Sequence, residues 1–207
     1  MDKDVSKLTN SIYSGQLTEV YKLNSEPTVA EYMNEVRSVD RCQKMNIELL
    51  TALGLKDYIE KAVDRGYDVK CAGVDGCTLL HHASMWNRTD LIKYLYFSDA
   101  ELFAKNRQNE TAHDLVSKYD QKEADYMLQW VECRQEFLAL LQQTRTILAS
   151  LGKSEFSKEE KKVAEAACAD GEIWVQKNRD ASLDAIRTKK EHIELIVEPF
   201  FREKLRS

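Results

Sequence analysis

The stretch DGCTLLHHA, which runs from Asp75 to Ala83, places one cysteine and two adjacent histidines within nine residues. Another cysteine lies a few residues upstream. Thiolate and imidazole are common zinc ligands, and a Cys–His pair can also serve as a nucleophile with its base. A zinc site here would need four side chains to converge on one ion at about 2.0–2.3 Å: Cys71, Cys77, His81 and His82. The elements that carry these residues decide whether they can meet.

The composition predicts an all-α globular chain. Its 207 residues are 43% apolar and 31% charged, enough for one large domain or two small ones, each with a hydrophobic core. Seven glycines and two prolines supply few of the turns that a sheet protein needs. We therefore expect long, solvated helices.

Charge and cysteine content exclude several classes of protein. The net charge of −5, with mixed signs, argues against nucleic-acid binding, which needs a clustered basic surface. The sequence has no long apolar run for a membrane span, and its polar N-terminus is unlike a secretory signal. Five cysteines without framework spacing fit a reducing compartment. We expect a cytoplasmic or nuclear protein that binds neither nucleic acid nor membranes.

A repeat of 33 residues runs through the middle of the chain. TLLHHA begins at Thr78 and TAHDLV begins at Thr111, 33 residues later. Thirty-three is the ankyrin period, a turn followed by two antiparallel helices, with a T-P-L-H-x-A opening. Residues 49–107 resemble ankyrin repeats closely, and weaker copies extend the resemblance over about residues 8–130.

The ankyrin resemblance implies structural roles for several residues. Thr78 should cap a helix through its hydroxyl, and His81 should link adjacent repeats by hydrogen bonds. Gly66 should end a helix in the left-handed conformation, and Asn109 should replace Gly76 because asparagine tolerates that conformation. In this register Cys71 and Cys77 lie on a finger, the extended loop that precedes the first helix of a repeat. His81 lies inside the stack. We therefore expect no metal site.

The sequence also departs from the ankyrin pattern. Leu79 replaces the usual proline, and Asp99 replaces a helix-ending glycine. His113 and Asp114 stand where leucine and histidine are usual, which predicts a distorted third repeat. An earlier copy around Gly15 is separated from the next by six residues more than the period, which predicts an inserted helix near residues 28–40.

Ankyrin stacks bind proteins through their finger tips and the exposed face of their inner helices, so the resemblance implies a surface of this kind. In this register the candidate binding residues are His82, Met85, Trp86, Lys105, Arg107 and Tyr119. Trp86 and Tyr119 are one period apart and are expected to form an apolar ridge. The alternative is that Trp86 packs between repeats or under the C-terminal helices.

The period is lost after Arg134. The apolar spacing over residues 135–151 predicts an amphipathic helix, and Ser157 followed by Glu160 predicts a capping box that opens another. Asn178 is expected to close that helix, and Pro199 to mark the end of a third. We expect ankyrin repeats over residues 1–133, a connecting helix over 134–152 and a helical bundle over 153–207.

The C-terminal segment, about residues 140–205, resembles the helical lid of seventy-kilodalton heat-shock chaperones. The residues that carry the resemblance are Glu172, Trp174, Asn178, Lys189, Ile193, Glu194 and Pro199. The alternative is an unrelated three-helix bundle. The 207 residues of the chain leave no room for the family's nucleotide-binding domain or peptide-binding sheet, so we expect no complete chaperone activity.

These features predict a non-enzymatic adaptor that binds a protein partner, and the lid resemblance adds an association with chaperones. No phosphate-binding loop, nucleophile elbow, zinc-protease or dinucleotide motif is present. We therefore expect no catalytic residues and no cofactor. The alternative function is self-association, as a homodimer through the C-terminal helices, with Phe200 and Phe201 as apolar contacts.

Overall fold

The computed structural model describes residues 43–150 and 156–204 and contains only helices, turns and loops within those ranges. The helices there are α1 Gln43–Leu53, α2 Lys56–Asp64, α3 Leu79–Met85, α4 Thr89–Phe97, α5 Ala112–Lys118, α6 Lys122–Ser150, α7 Lys158–Lys177 and α8 Leu183–Lys204. The predicted all-α class is confirmed. Of these helices, none has the length and apolar character that a membrane span requires. The inserted helix near 28–40 and the copy around Gly15 lie outside the described residues.

The chain divides into two compact units, Met1–Leu128 and Gln129–Ser207. The 33-residue period governs the backbone of the first unit: α2, α4 and α6 begin at residues 56, 89 and 122. Each of these helices follows another after a short loop, so three helix pairs succeed one another. Within each pair the first helix is α1, α3 or α5.

The left-handed residues of the described chain repeat with the same period. The residues with positive φ form three series spaced by 33: Gly54, Asn87 and Asp120; Gly66 and Asp99; Gly76 and Asn109. Glycine, asparagine and aspartate are the residues that adopt this conformation at least cost. Each series therefore marks one turn of the repeat, and the predicted roles of Gly66 and Asn109 are confirmed.

The third repeat keeps the geometry of the second. Thr78 and Thr111 are both extended N-caps, with ψ of 173° in each case. Asp114 takes the place of His81, because its Oδ2 accepts hydrogen bonds from the backbone nitrogen and hydroxyl of Thr111 at 2.7 and 2.8 Å. The predicted distortion was wrong, since a carboxylate closes the capping box as well as an imidazole does.

Polar side chains tie successive repeats together. The Nε atom of Arg88 donates to the carbonyl of Ala52 at 2.8 Å. At the next junction between repeats, the Oδ1 atom of Asn87 accepts from the backbone nitrogen of Ala124 at 2.8 Å. Between these contacts lies an apolar core that includes Ile59, Leu79, Leu80, Ala83, Leu91, Ile92, Leu95, Leu115 and Val116.

In the second unit, α7 and α8 pack with the C-terminal part of α6. Their core includes Phe137, Leu141, Ala164, Cys168, Val175, Ile186, Ile193 and Val197. The loop between α7 and α8 is held from α6: the Nε1 atom of Trp130 donates to the carbonyl of Ala181 at 2.7 Å. Arg134, only 3% exposed, donates to the carbonyls of Asn178 and Val175. Asn178 is the C-cap of α7, as the sequence predicted.

Two helix boundaries differ from the predictions. The helix expected to start near residue 135 begins at Lys122, so that one helix runs through residue 128, where the first unit ends. Pro199 lies inside α8 rather than at its end. A proline removes one helical hydrogen bond. The buried Phe200 beyond it, whose ring centroid is 4.3 Å from that of Phe156, supplies packing that offsets this loss.

Candidate protein-binding surface

Two extended loops, residues 67–77 and 100–110, precede α3 and α5 and are called the first and second fingers. The fingers are joined, because the backbone nitrogen of Arg107 donates to the carbonyl of Asp75 at 3.0 Å. Asn106 shapes the second finger: its Oδ1 accepts from the backbone nitrogens of Gln108 and Glu110 at 3.0 and 2.9 Å. The two fingers therefore present one connected edge.

Charged and apolar side chains share this edge. Lys105 and Arg107 are exposed, as a binding role requires. Lys70 is partly neutralised, because its Nζ lies 2.6 Å from the carboxylate of Asp99.

The sequence predictions missed two apolar residues on the fingers. The exposed fractions are 80% for Val74 and 60% for Phe103. Large apolar residues at loop positions could have indicated them.

Three of the candidate residues lie in or beside α3 and are less accessible. The side chain of His82 is only 12% exposed. Met85 is half-buried, and its carbonyl accepts from the Nε2 atom of Gln121 at 3.0 Å. Trp86 packs against Leu49, Ala52 and Leu53 of α1. Of the two predictions for Trp86, packing between repeats therefore matches its position, and exposure on an apolar ridge does not.

Tyr119 occupies the position predicted for it. Trp86 and Tyr119 are the C-caps of α3 and α5, with nearly equal backbone angles (φ −100° and −105°). Tyr119 is 47% exposed, and the Nζ atom of Lys118 lies 5.8 Å from its ring centroid. The exposed positions of α5 are Asp114, Ser117 and Lys118. The expected aromatic ridge is therefore replaced by a polar surface with Tyr119 at one end and the fingers at the other.

The four residues considered for zinc do not come together. The Nδ1 atom of His81 accepts from the backbone nitrogen of Thr78 at 3.1 Å, and Nε2 lies 3.2 Å from the carbonyl of Glu110. Because a backbone N–H can only donate, Nδ1 is the acceptor and Nε2 carries the proton. Both nitrogens are used, so His81 links two repeats as predicted.

A different set of side chains lies close together on the first finger and α3. A carboxylate oxygen of Asp75, the Sγ atom of Cys77 and a ring nitrogen of His82 are all within 4.8 Å of one another. Burial raises the pKa of Cys77 to about 12 and lowers the pKa of His82 to about 4. A reactive cysteine needs a lowered pKa, so this pair does not have the chemistry of a nucleophile with its base.

Comparison with known proteins agrees with the repeat geometry. Over 126 residues the chain is 29% identical to ankyrin repeat domain-containing protein 45 of Danio rerio. The described part of the first unit has the architecture of a short ankyrin-like stack of helix pairs. The match covers 60% of this chain and 56% of the relative, so the chain spans about half of the relative's length. No family model matches the sequence.

Proposed function

We propose that the chain is a non-enzymatic adaptor whose ankyrin stack binds a protein partner. The observation that carries this proposal is the joined finger edge, where Val74 and Phe103 expose most of their apolar surface beside Lys105 and Arg107. Apolar side chains exposed beside arginine are typical of protein interfaces. The two basic residues favour a partner with an acidic rim.

Tyr119 extends the proposed surface along α5. This helix has seven residues, so Tyr119 lies about 10 Å from the fingers along the helix axis. A tyrosine that is half exposed can bury its ring against a partner and keep a hydrogen bond at its hydroxyl. Met85 is half-buried and lies at the edge of the proposed surface. His82 and Trp86 pack beneath the surface and support it without contacting a partner.

The test is affinity capture from a lysate of the source cells with the full chain and two variants. Phe103→Ala with Tyr119→Ala removes two exposed aromatic side chains from the proposed surface. Loss of an interface anchor costs about 2 kcal/mol, roughly a thirtyfold weaker affinity. We expect the proteins captured by the wild type to be depleted accordingly, with an unchanged melting temperature.

Tyr126→Ala is the matched control. Tyr126 is 49% exposed, slightly more than Tyr119, but it lies on α6, the second helix of its pair. We expect this variant to capture the same proteins as the wild type. Equal capture by both variants would place the binding surface elsewhere.

A second candidate function is self-association through the C-terminal helices. Phe200 is 3% exposed and cannot contribute as expected, but Leu195 is 74% exposed. Leu195 lines an apolar groove with Leu140, Val197 and Phe201, bordered by Glu191, Glu194 and Glu198. Sedimentation equilibrium separates the candidates, because self-association predicts a dimer that Leu195→Glu disrupts.

The resemblance to a chaperone lid stays a prediction. It adds chaperones to the candidate partners of residues 140–205, and the mass spectrometry used for the capture experiment would identify them. A cytoplasmic or nuclear location also stays a prediction.

A further inference from the structure

Two buried imidazole nitrogens of the described residues lack a hydrogen-bond partner, Nε2 of His113 and Nε2 of His82, and the second has metal-binding groups around its ring. The Nε2 atom of His82 is inaccessible to solvent and makes no hydrogen bond. Burying a polar atom without a partner is costly, and an apolar side chain would fill the same space without that cost. The position therefore calls for a group that Nε2 can bind.

Groups that bind transition metals lie around the His82 imidazole. Asp75 and Cys77 approach from the first finger, and all three ligand atoms lie within 4.8 Å of one another. A second carboxylate arrives from α1: the Oε2 atom of Glu48 lies 3.9 Å from Nε2 of His82, and this side chain is only 15% exposed. The first finger and α3 thus bring one imidazole, one thiol and one carboxylate within 4.8 Å of one another, and α1 adds a second carboxylate beside the imidazole.

The surrounding backbone makes room for the second carboxylate. A Cβ atom at position 73 would lie 1.9 Å from the Oε1 atom of Glu48, so the carboxylate rests against Gly73 of the first finger. The backbone nitrogen of Gly73 donates to the carbonyl of Cys77 at 2.8 Å, which fixes the finger at this point. The Glu48 carboxylate is therefore held against the backbone of the first finger.

We propose that Asp75, Cys77 and His82, with Glu48 as the fourth ligand, form a binding site for a divalent zinc-type cation. Sulfur, imidazole nitrogen and carboxylate oxygen are the ligand types of zinc. In a tetrahedral site with bonds of about 2.0–2.3 Å, neighbouring ligand atoms are roughly 3.3–3.8 Å apart. The atoms of Asp75, Cys77 and His82 reach this spacing by a contraction of about 1–1.5 Å, to which the exposed Asp75 can contribute by rotation. Glu48 lies outside this group and completes the site by a rotation of its side chain toward the ion.

One neighbouring hydrogen bond favours a thiolate at Cys77. The Nδ2 atom of Asn106 lies 3.7 Å from Sγ of Cys77 and donates to it. Oδ1 of Asp75 already accepts from the backbone nitrogen of Cys77 at 2.9 Å, which leaves its other oxygen for the ion. Binding replaces the thiol proton of Cys77, which passes to solvent. The expectation of no metal site considered only Cys71, Cys77, His81 and His82 as ligands. The carboxylates of Asp75 and Glu48 were not among them.

The test uses tag-free, metal-stripped full-length protein under reducing conditions, titrated with Co²⁺ and then with Zn²⁺. We expect one equivalent of Co²⁺ to give tetrahedral visible bands and a thiolate-to-metal charge-transfer band, which Zn²⁺ removes. Cys77→Ser should abolish the charge-transfer band and weaken Zn²⁺ binding at least about tenfold. Cys71→Ser, on the same finger but outside the cluster, should leave both unchanged.

His82→Leu separates binding from folding. Leucine removes the ligand but fills the buried position, so the metal-free variant should melt no lower than the metal-free wild type. Zn²⁺ should raise the melting temperature of the wild type and not that of His82→Leu. Absence of a charge-transfer band in the wild type, or its survival in Cys77→Ser, would overturn the proposal. Weak binding that all variants share would mean an adventitious ion only.

Discussion

A Cβ atom on Gly76 would lie 2.8 Å from the backbone nitrogen of Arg107 in the second finger. Gly76 also has a φ of 82°, so both the neighbouring backbone and its own conformation exclude a side chain. Asn109, one period later, has the same type of conformation but is exposed. The contact between the fingers thus explains why position 76, which touches the second finger, holds glycine. Position 109 is exposed and can therefore hold asparagine.

Gly76→Ala should destabilise the ankyrin stack more than Gly66→Ala does. Gly66 has a φ of 94°, but nothing lies within 4 Å of an added Cβ, so its variant pays only the conformational cost of about 1–2 kcal/mol. Gly76→Ala adds the displacement of a finger, about 1–3 kcal/mol more. Urea denaturation followed by circular dichroism gives both values. Equal losses would mean that the fingers separate at little cost.

Arg134 should be a principal source of stability in the second unit. Arg134→Met removes the guanidinium donors from two carbonyls at the end of α7. The Asn178 carbonyl keeps a hydrogen bond from the backbone nitrogen of Ala181, so the main loss is at the buried Val175 carbonyl, and we expect it to cost about 1–3 kcal/mol. Arg145→Met is the control, because the Arg145 side chain is 55% exposed and its ion pair with Glu172 should contribute about 1 kcal/mol or less. Chemical denaturation compares the two variants. Similar losses would indicate that the buried guanidinium does not hold the α7–α8 loop.

The capping box of α5 should depend on pH. Hydrogen bonds from the backbone and hydroxyl of Thr111 hold the pKa of Asp114 below its usual value of 3.8. The folded state therefore favours the charged carboxylate, whose contribution is complete above pH 3.8 and is lost as the pH falls through the folded pKa.

Asp114→Asn should accordingly lower the melting temperature at pH 7. The difference from the wild type should shrink below about pH 3.8. Asp120→Asn, which changes the same charge at an exposed left-handed position, should have little effect at either pH. A difference for Asp114→Asn that is independent of pH would exclude the carboxylate as its cause.

The cysteines should differ in reactivity. Cys133 and Cys168 are 8% and 0% exposed, and burial raises the pKa of both thiols. Cys71 is partly exposed on the first finger. A thiol reagent at pH 8 should modify Cys71 at least about tenfold faster, as measured by peptide mass spectrometry. Comparable rates at Cys168 would show that the second unit opens readily.

The repeat could be predicted because its turns depend on residue types that the sequence displays. Thr78 and Thr111 mark helix starts, and Gly66 and Asn109 mark left-handed turns, so the period follows from local chemistry. The length of α6 was missed because its apolar residues do not keep to one face along 29 residues. Such a helix gives no single periodic pattern.

The metal-type cluster could not be predicted from the sequence for a different reason. Glu48 and His82 are 34 residues apart, and a glutamate in a helix is ordinarily a solvated residue. The carboxylate of Glu48 reaches the imidazole of His82 only because α1 packs beside α3. In the same way, Trp86 and Tyr119 have equivalent backbone positions, but α1 covers only the first of them.

The regular spacing of the helix pairs also bears on how the chain can change in evolution. Because the backbone returns to the same conformation every 33 residues, a tandem copy of residues 78–110 would meet matching surfaces at both of its ends. An in-frame duplication would add one finger and one inner helix without disturbing the termini. A gene of this kind can therefore lengthen or shorten its protein's binding edge by whole repeats.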